Sequence, residues 1–149
     1  MARIIGNNFP NFLRGTGGQD VIMGLASTDV LLGLGGNDKL YGGSGQDFLQ
    51  GGKGRDDLWG GGARDVFKFK IGDGFWNSNT GKWDDVVYDY RDGRDVFDVP
   101  GGGGLGSVTL RQVFDGPHGG GTEVAYGFLG GGFFVKNYFA GQWSNDDFI

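Results

Sequence analysis

Cysteine is absent from this sequence, which excludes disulfides, thiolate metal sites, iron–sulfur clusters and cysteine nucleophiles by count alone. Histidine occurs once, as His118 in the glycine-rich stretch DGPHGGG, so neither an HExxH zinc site nor a triad built on a second imidazole can be assembled. A phosphate loop of the Walker type and a GxSxG nucleophile elbow are also missing, which removes the common nucleotide-cradle and serine-hydrolase signals. GGGGLG at 101–106 does fit GxGxxG, but SVTLRQVF follows it, where a dinucleotide fold needs a helix.

Proline numbers only 3, too few for collagen. No apolar run approaches the roughly 18 residues of a membrane helix, and MARIIGNNFP lacks the apolar stretch of a cleaved signal peptide. The expectation is no membrane span and no Sec leader in this segment. Basic residues are outnumbered, 13 against 18, for a formal charge of −5. Nucleic acid is excluded as a partner, because phosphate-backbone binding needs a clustered cationic face. Glutamate is nearly absent too: the acids are 17 Asp and a single Glu, Glu123. Helix surfaces do not produce that bias, whereas turns and oxygen-ligand metal sites do.

What the chain has in excess is glycine, 35 of 149 residues against a usual share of about 7%. With 38% hydrophobic and 15% aromatic residues there is enough apolar matter for a core, so a single ordered domain over 1–149 is expected. A repeat explains the glycine. Asp recurs at 20, 29, 38, 47, 56 and 65, an unbroken spacing of nine, and glycine stands five residues before each, at 15, 24, 33, 42, 51 and 60. Two residues after each Asp comes an apolar side chain: Ile22, Leu31, Leu40, Leu49, Leu58 and Phe67. GNNFPNFLR sets Gly6, Asn11 and Leu13 in the same frame, as a degenerate first repeat and end cap. A flexible linker has no reason to place an apolar residue at every ninth position. An EF-hand is excluded as well, since no DxDxDG loop followed by Glu is present.

Each nonapeptide reads as a GGxGxD turn followed by a three-residue strand whose middle side chain points inward. Two units complete one coil, so repeats stack on alternate neighbours. The turns ending in Asp20, Asp38 and Asp56 then form one column, and those ending in Asn11, Asp29, Asp47 and Asp65 the other. Stacked carboxylates and turn carbonyls together supply an oxygen cage of the roughly six to eight ligands that Ca²⁺ takes. Glycine suits such turns because they require φ > 0 and close backbone approach.

The pattern resembles the RTX (hemolysin-type) calcium-binding repeat family. GGSGQDFLQ at 42–50 and GGKGRDDLW at 51–59 fit that family's nonapeptide at every defined position. GLGGNDKLY departs at Leu34, GLASTDVLL at Leu25 and Ser27, and GGGARDVFK at Ala63. The resemblance implies an all-β fold, a right-handed parallel β-roll of nonapeptide repeats over 6–68, capped by a short-stranded and mostly antiparallel β region over 69–149. It implies as metal-site residues Asp20, Asp29, Asp38, Asp47, Asp56 and Asp65. The turn glycines implied with them are Gly15, Gly17, Gly33, Gly35, Gly42, Gly43, Gly45, Gly51, Gly52, Gly54, Gly60 and Gly61. Together these would hold about four Ca²⁺ ions.

Beyond residue 68 the period is lost. Asp85, Asp89, Gly93, Asp95, Val96, Phe97, Asp98 and Val99 resemble the segment that flanks the roll in many RTX proteins. VTLRQVF, TEVAYGFL and FFVKNYF, between glycine-rich turns at 101–104, 116–121 and 130–132, read as antiparallel strands. At the end, Trp143, Asp147, Phe148 and Ile149 resemble the family's terminal pattern and the C-terminal signal read by bacterial type I exporters.

The resemblance implies a non-enzymatic calcium-binding module, secreted and extracellular. Such a module folds on meeting calcium outside the cell and supports type I secretion and the stability of a larger secreted protein. An alternative is a polysaccharide-binding accessory module similar to those of mannuronan C5-epimerases, with Lys39, Tyr41 and Trp59 as glycan contacts on a sheet face that also carries Val21, Met23 and Asp57. A stand-alone adhesin or matrix protein is the third reading. The opposite face, with Val30, Leu32, Phe48 and Val66, is apolar enough that the cap is expected to cover it.

Overall fold

The computed structural model describes residues 1–70, 73, 76–77, 82–83, 85–91, 93–99, 108–116, 119–126, 131–136 and 143–149. His118 and the GGGGLG stretch lie outside the described residues.

The nine-residue spacing folds as a coil of two strands per turn of roll. Strands β1 (Ala2–Ile5), β3 (Asp20–Ala26), β5 (Lys39–Ser44) and β7 (Asp57–Gly62) stack in parallel as one sheet. Strands β2 (Phe12–Arg14), β4 (Val30–Gly35), β6 (Phe48–Lys53) and β8 (Val66–Lys68) stack as the other. Because side chains alternate along a strand, one residue per repeat points between the sheets. Ile22, Leu40 and Leu58 line up from the first sheet, and Leu31, Leu49 and Phe67 from the second, all at 0% exposure. Full burial of each stabilises the roll by about 1.5–3 kcal/mol, a contribution the glycine-rich turns cannot make.

Strands β3 to β7 are longer than three residues, whereas β2 and β8 keep to three. The ladder skips Gly24 opposite Gly42 and resumes at Leu25–Gly43 and Ala26–Ser44, so pairing runs on into the turn. Strand β1 also adds a half-coil ahead of the first repeat.

The roll does not stop at residue 68. Strands β9 (Trp76–Asn77) and β10 (Lys82–Trp83) form a separate antiparallel pair. After them, β11 (Val86–Val87) continues the first sheet against β7, and β12 (Val96–Asp98) continues the second against β8. Val87 and Phe97 thereby extend the two inward rows. The cap strands β13 (Val108–Gly116), β14 (Gly119–Tyr126) and β15 (Gly131–Lys136) pair in sequence order and antiparallel, as their short connections favour. Strand β15 pairs in parallel with β11, giving an eight-stranded sheet of order β1-β3-β5-β7-β11-β15-β14-β13.

The described cap strands thus prolong the first sheet by its edge, and Val30, Leu32, Phe48 and Val66 on the second remain half-buried. Aromatic side chains close the far end of the core: Phe97 packs against Phe67, Tyr90, Phe133, Trp143 and Phe148. The chain end is fastened there, with Phe148 bridged to Phe97, Tyr90 donating to Asp147, and a capping box between Ser144 and Asp147. No helix among the described residues is long and apolar enough to cross a membrane.

Candidate metal centre

Two columns of Asp run along the edges of the roll, as the alternate stacking of repeats requires. In the first, Asp20 N–H donates to Asp38 Oδ1 at 2.8 Å, Asp38 N–H to Asp56 Oδ1 at 2.9 Å, and Asp56 N–H to Asp85 Oδ1 at 2.9 Å. In the second, Asn11 donates to Asp29, Asp29 to Asp47, Asp47 to Asp65 and Asp65 to Asp95, at 2.7–3.0 Å. Each carboxylate therefore spends one oxygen on the amide of the preceding coil.

The other oxygen is left open. Oδ2 of Asp29, Asp38, Asp47, Asp56 and Asp65 is buried and accepts no hydrogen bond. An ionised carboxylate oxygen in that position is costly unless a cation meets it. Burial accordingly pushes Asp38 and Asp47 up to about 6, and Asp56 and Asp65 up to about 7, against the amide donors that lower them. Neighbouring Asp charges add to the rise, such as Asp20 on Asp38 and Asp95 on Asp65.

Glycine makes the space. A Cβ on Gly33 would lie 2.5 Å from both Asp38 Oδ2 and the Gly51 carbonyl oxygen of the next coil. Gly24 stands in the same way against Asp29 Oδ2 and the Gly42 carbonyl, and Gly42 against Asp47 Oδ2 and the Gly60 carbonyl. Carboxylate and carbonyl oxygens thus converge on a cradle that any side chain at the first repeat position would fill. No cluster of three or more Asp, Glu, His or Cys side chains is present among the described residues. The oxygen set is one of single carboxylates with main-chain carbonyls, a hard-donor set of the kind Ca²⁺ takes. The residues present fit that ion. When bound, it supplies the positive charge that the buried carboxylates lack.

The second and fourth repeat positions adopt left-handed φ. Gly43 (115°), Gly45 (127°), Gly52 (103°), Gly54 (125°) and Gly61 (98°) do so as expected. Leu25 (86°), Ser27 (82°), Leu34 (80°) and Ala63 (73°) do so despite their side chains, so these departures from the nonapeptide leave the turn path intact and put strain into it. In the turn ending at Asp38, the left-handed glycine is Gly36 (111°) rather than Gly35.

The turn ending at Asp20 differs. Asp20 Oδ2 accepts from Thr16 N–H at 2.7 Å and from Thr16 Oγ1 at 2.8 Å. Gly17 there has ordinary φ, with nothing within 4 Å of where a Cβ would stand. The Thr16 amide bond is the main reason that Asp20 titrates below the usual range.

Sequence reasoning missed Gly36 as a left-handed turn residue, Asp85 and Asp95 as column members, and Asp89 as a cap. Asp89 caps the 60–65 turn, accepting from Gly60 N–H at 2.8 Å and Gly61 N–H at 2.9 Å. The signal was present in the flanking Asp residues, but an insertion replaces the 18-residue step by 29 and 30 residues.

On the outer face of the first sheet, Tyr41 and Trp59 are stacked at 4.4 Å between centroids, and Tyr88 continues the stack at 4.4 Å. Lys136 Nζ lies 5.3 Å from the Tyr88 ring centre. Lys39 is exposed in the neighbouring row, opposite Asp57. An open depression of about 500 Å³ adjoins Tyr41, lined also by Met1, Ala2, Arg3, Val21 and Met23.

Parallel coils with open carboxylates along both edges define a calcium-binding β-roll. Residues 5–40, 33–67 and 41–74 match the profile of the RTX calcium-binding nonapeptide repeat (4 copies). The repeat region of this chain thus belongs to the RTX calcium-binding nonapeptide repeat family, and its repeats are calcium-binding. The whole chain is similar to two solution structures from the Azotobacter vinelandii mannuronan C5-epimerase. The AlgE6R2 subunit has 26% identity and a TM-score of 0.58, over 98% of this chain and 91% of that one. The AlgE6R3 subunit has 27% identity and a TM-score of 0.50, over 97% and 80% respectively. No curated protein matches the chain.

Proposed function

We propose that this chain is a non-enzymatic module that folds when it meets calcium outside the cell, and that it supports type I secretion and the stability of a larger secreted protein. The observation that carries the reading is that Oδ2 of Asp29, Asp38, Asp47, Asp56 and Asp65 is buried without a hydrogen-bond donor. At neutral pH the roll brings negative charge together, and among the described residues no ion pair offsets it at these carboxylates, so metal binding becomes folding free energy. Extracellular calcium modules bind at about 10⁻⁴ to 10⁻³ M, above cytosolic free calcium, so the difference in concentration marks the compartment. Circular dichroism in chelator and in millimolar calcium tests it: β content should rise with calcium, and equal spectra would overturn the reading. The export role is tested by co-expression with a type I exporter, where loss of residues 143–149 should keep the chain inside the cell.

The stacked row Tyr41–Trp59–Tyr88 with Lys136 favours a second reading, a polysaccharide-binding accessory module. The likeness to epimerase subunits supports it. Against it, the rings spend their faces on one another, leaving edges, the Tyr41 side of the stack and nearby cations for a sugar chain. Titrating the calcium-loaded protein with short alginate oligomers, read by tryptophan fluorescence, decides between the two. Saturable binding that Trp59→Ala removes supports the glycan role, and no response from folded protein counts against it.

A further inference from the structure

Among the turns described in full, the residue four before the column residue divides them into two kinds. Where that residue has left-handed φ, as at Leu25, Leu34, Gly43, Gly52 and Gly61, the second oxygen of Asp29, Asp38, Asp47, Asp56 and Asp65 is open. At Asn7, Thr16 and Arg91, φ is ordinary and the amide turns onto the side chain. Asn7 N–H donates to Asn11 Oδ1 at 2.7 Å, Thr16 N–H to Asp20 Oδ2 at 2.7 Å, and Arg91 N–H to Asp95 Oδ2 at 2.9 Å. Along the sequence, the open turns run from the one ending at Asp29 to the one ending at Asp65, and among the turns described in full the closed ones stand before and after them.

We infer that the backbone handedness of this residue decides which turns take an ion, and that the turns ending at Asn11, Asp20 and Asp95 are metal-independent clasps. The inference rests on the calcium reading and narrows it: although the repeat profile extends across residues 5–40, Asp20 holds a protein donor pair where its successors would hold a cation. Thr16 satisfies the oxygen twice, through its amide and its hydroxyl. A charged oxygen already bonded to donors gains less from a cation than one facing none. The physical cause lies in the turn itself. Left-handed φ swings the amide away from the carboxylate, and a residue that avoids positive φ, as a β-branched threonine does, leaves it facing the carboxylate. The clasps would hold the first coil and the start of the cap in register, so the ion-dependent turns between them close against ordered neighbours.

The test counts bound calcium on the full chain by equilibrium dialysis and metal analysis, with circular dichroism on the same samples. Asp20→Asn should keep the wild-type count, while Asp38→Asn should lose at least one ion. Thr16→Gly leaves Asp20 in place, lets the turn go left-handed, and should gain one ion per chain. Loss of an ion by Asp20→Asn overturns the inference, and so does a folded Thr16→Gly that gains none. A wild-type chain that binds no calcium overturns the underlying reading as well, which separates the two failures.

Discussion

The amide of Asp38 donates to Asp56 Oδ1 at 2.9 Å, 18 residues along the chain and one coil along the roll. One carboxylate therefore does two things: its first oxygen holds the coil before it, and its second is open to a cation. Asp56→Ala should then damage both. It strands a buried amide, at about 1–3 kcal/mol, and removes an ion ligand. The calcium midpoint of folding, followed by circular dichroism, should rise several-fold, and an unchanged midpoint would contradict the assignment of Asp56.

The pH response of the metal-free chain follows from the raised carboxylates. Asp38 and Asp47 titrate at about 6 and Asp56 and Asp65 at about 7 in the roll, mainly through burial, against an ordinary value of 3.8. Between those values the folded state holds protons that the unfolded state has released, so stability falls as pH rises through that window. Calcium-free protein should gain β content on acidification from pH 7.5 to 5. Calcium affinity should weaken over the same range, because protons compete for the same oxygens. A calcium-free spectrum that does not change with pH would count against these buried carboxylates.

Much of this was legible in the sequence, because the spacing of nine is the geometry. Asp, glycine and inward apolar positions each map onto one column, and Ile22, Leu31, Leu40, Leu49, Leu58 and Phe67 are all fully buried. The continuation through Asp85 and Asp95 was not legible as a repeat, since a long insertion hides a register that only backbone pairing restores. Nor was the closed turn at Asp20. Thr16 differs from a glycine there by a choice of φ, and the nonapeptide pattern records residue type rather than handedness. The stack from Trp59 to Tyr88 was missed for the same reason as Asp85, since the two rings are neighbours only across the insertion.

Core packing should be coupled to metal binding. Leu40 is fully buried and lies between Ile22 and Leu58 in the inward row, and no ion ligand touches its role. Leu40→Ala should cost about 2–5 kcal/mol. Because folding and ion binding are linked, the calcium midpoint should move upward although every donor is retained. A midpoint that stays put while thermal stability in saturating calcium also stays put would mean that the row contributes no cooperativity.

Leu34 and Gly52 are partners in adjacent coils and share a left-handed backbone, at 80° and 103°. At Leu34 the side chain is exposed and the conformation is strained, by about 1–2 kcal/mol relative to a relaxed residue. Glycine removes that strain but gives back about 0.5–1 kcal/mol in unfolded-chain entropy. Leu34→Gly should therefore stabilise the calcium-loaded protein by about 1 kcal/mol, or about 2–4 °C in Tm for a chain of this size. Gly52→Ala at the partner position should do the opposite, and more strongly. Its Cβ would run into the Leu34 carbonyl oxygen in addition to taking on a left-handed φ. Differential scanning calorimetry of the two variants in saturating calcium reads both signs, and a Leu34→Gly variant less stable than the parent would show that this turn is not strained.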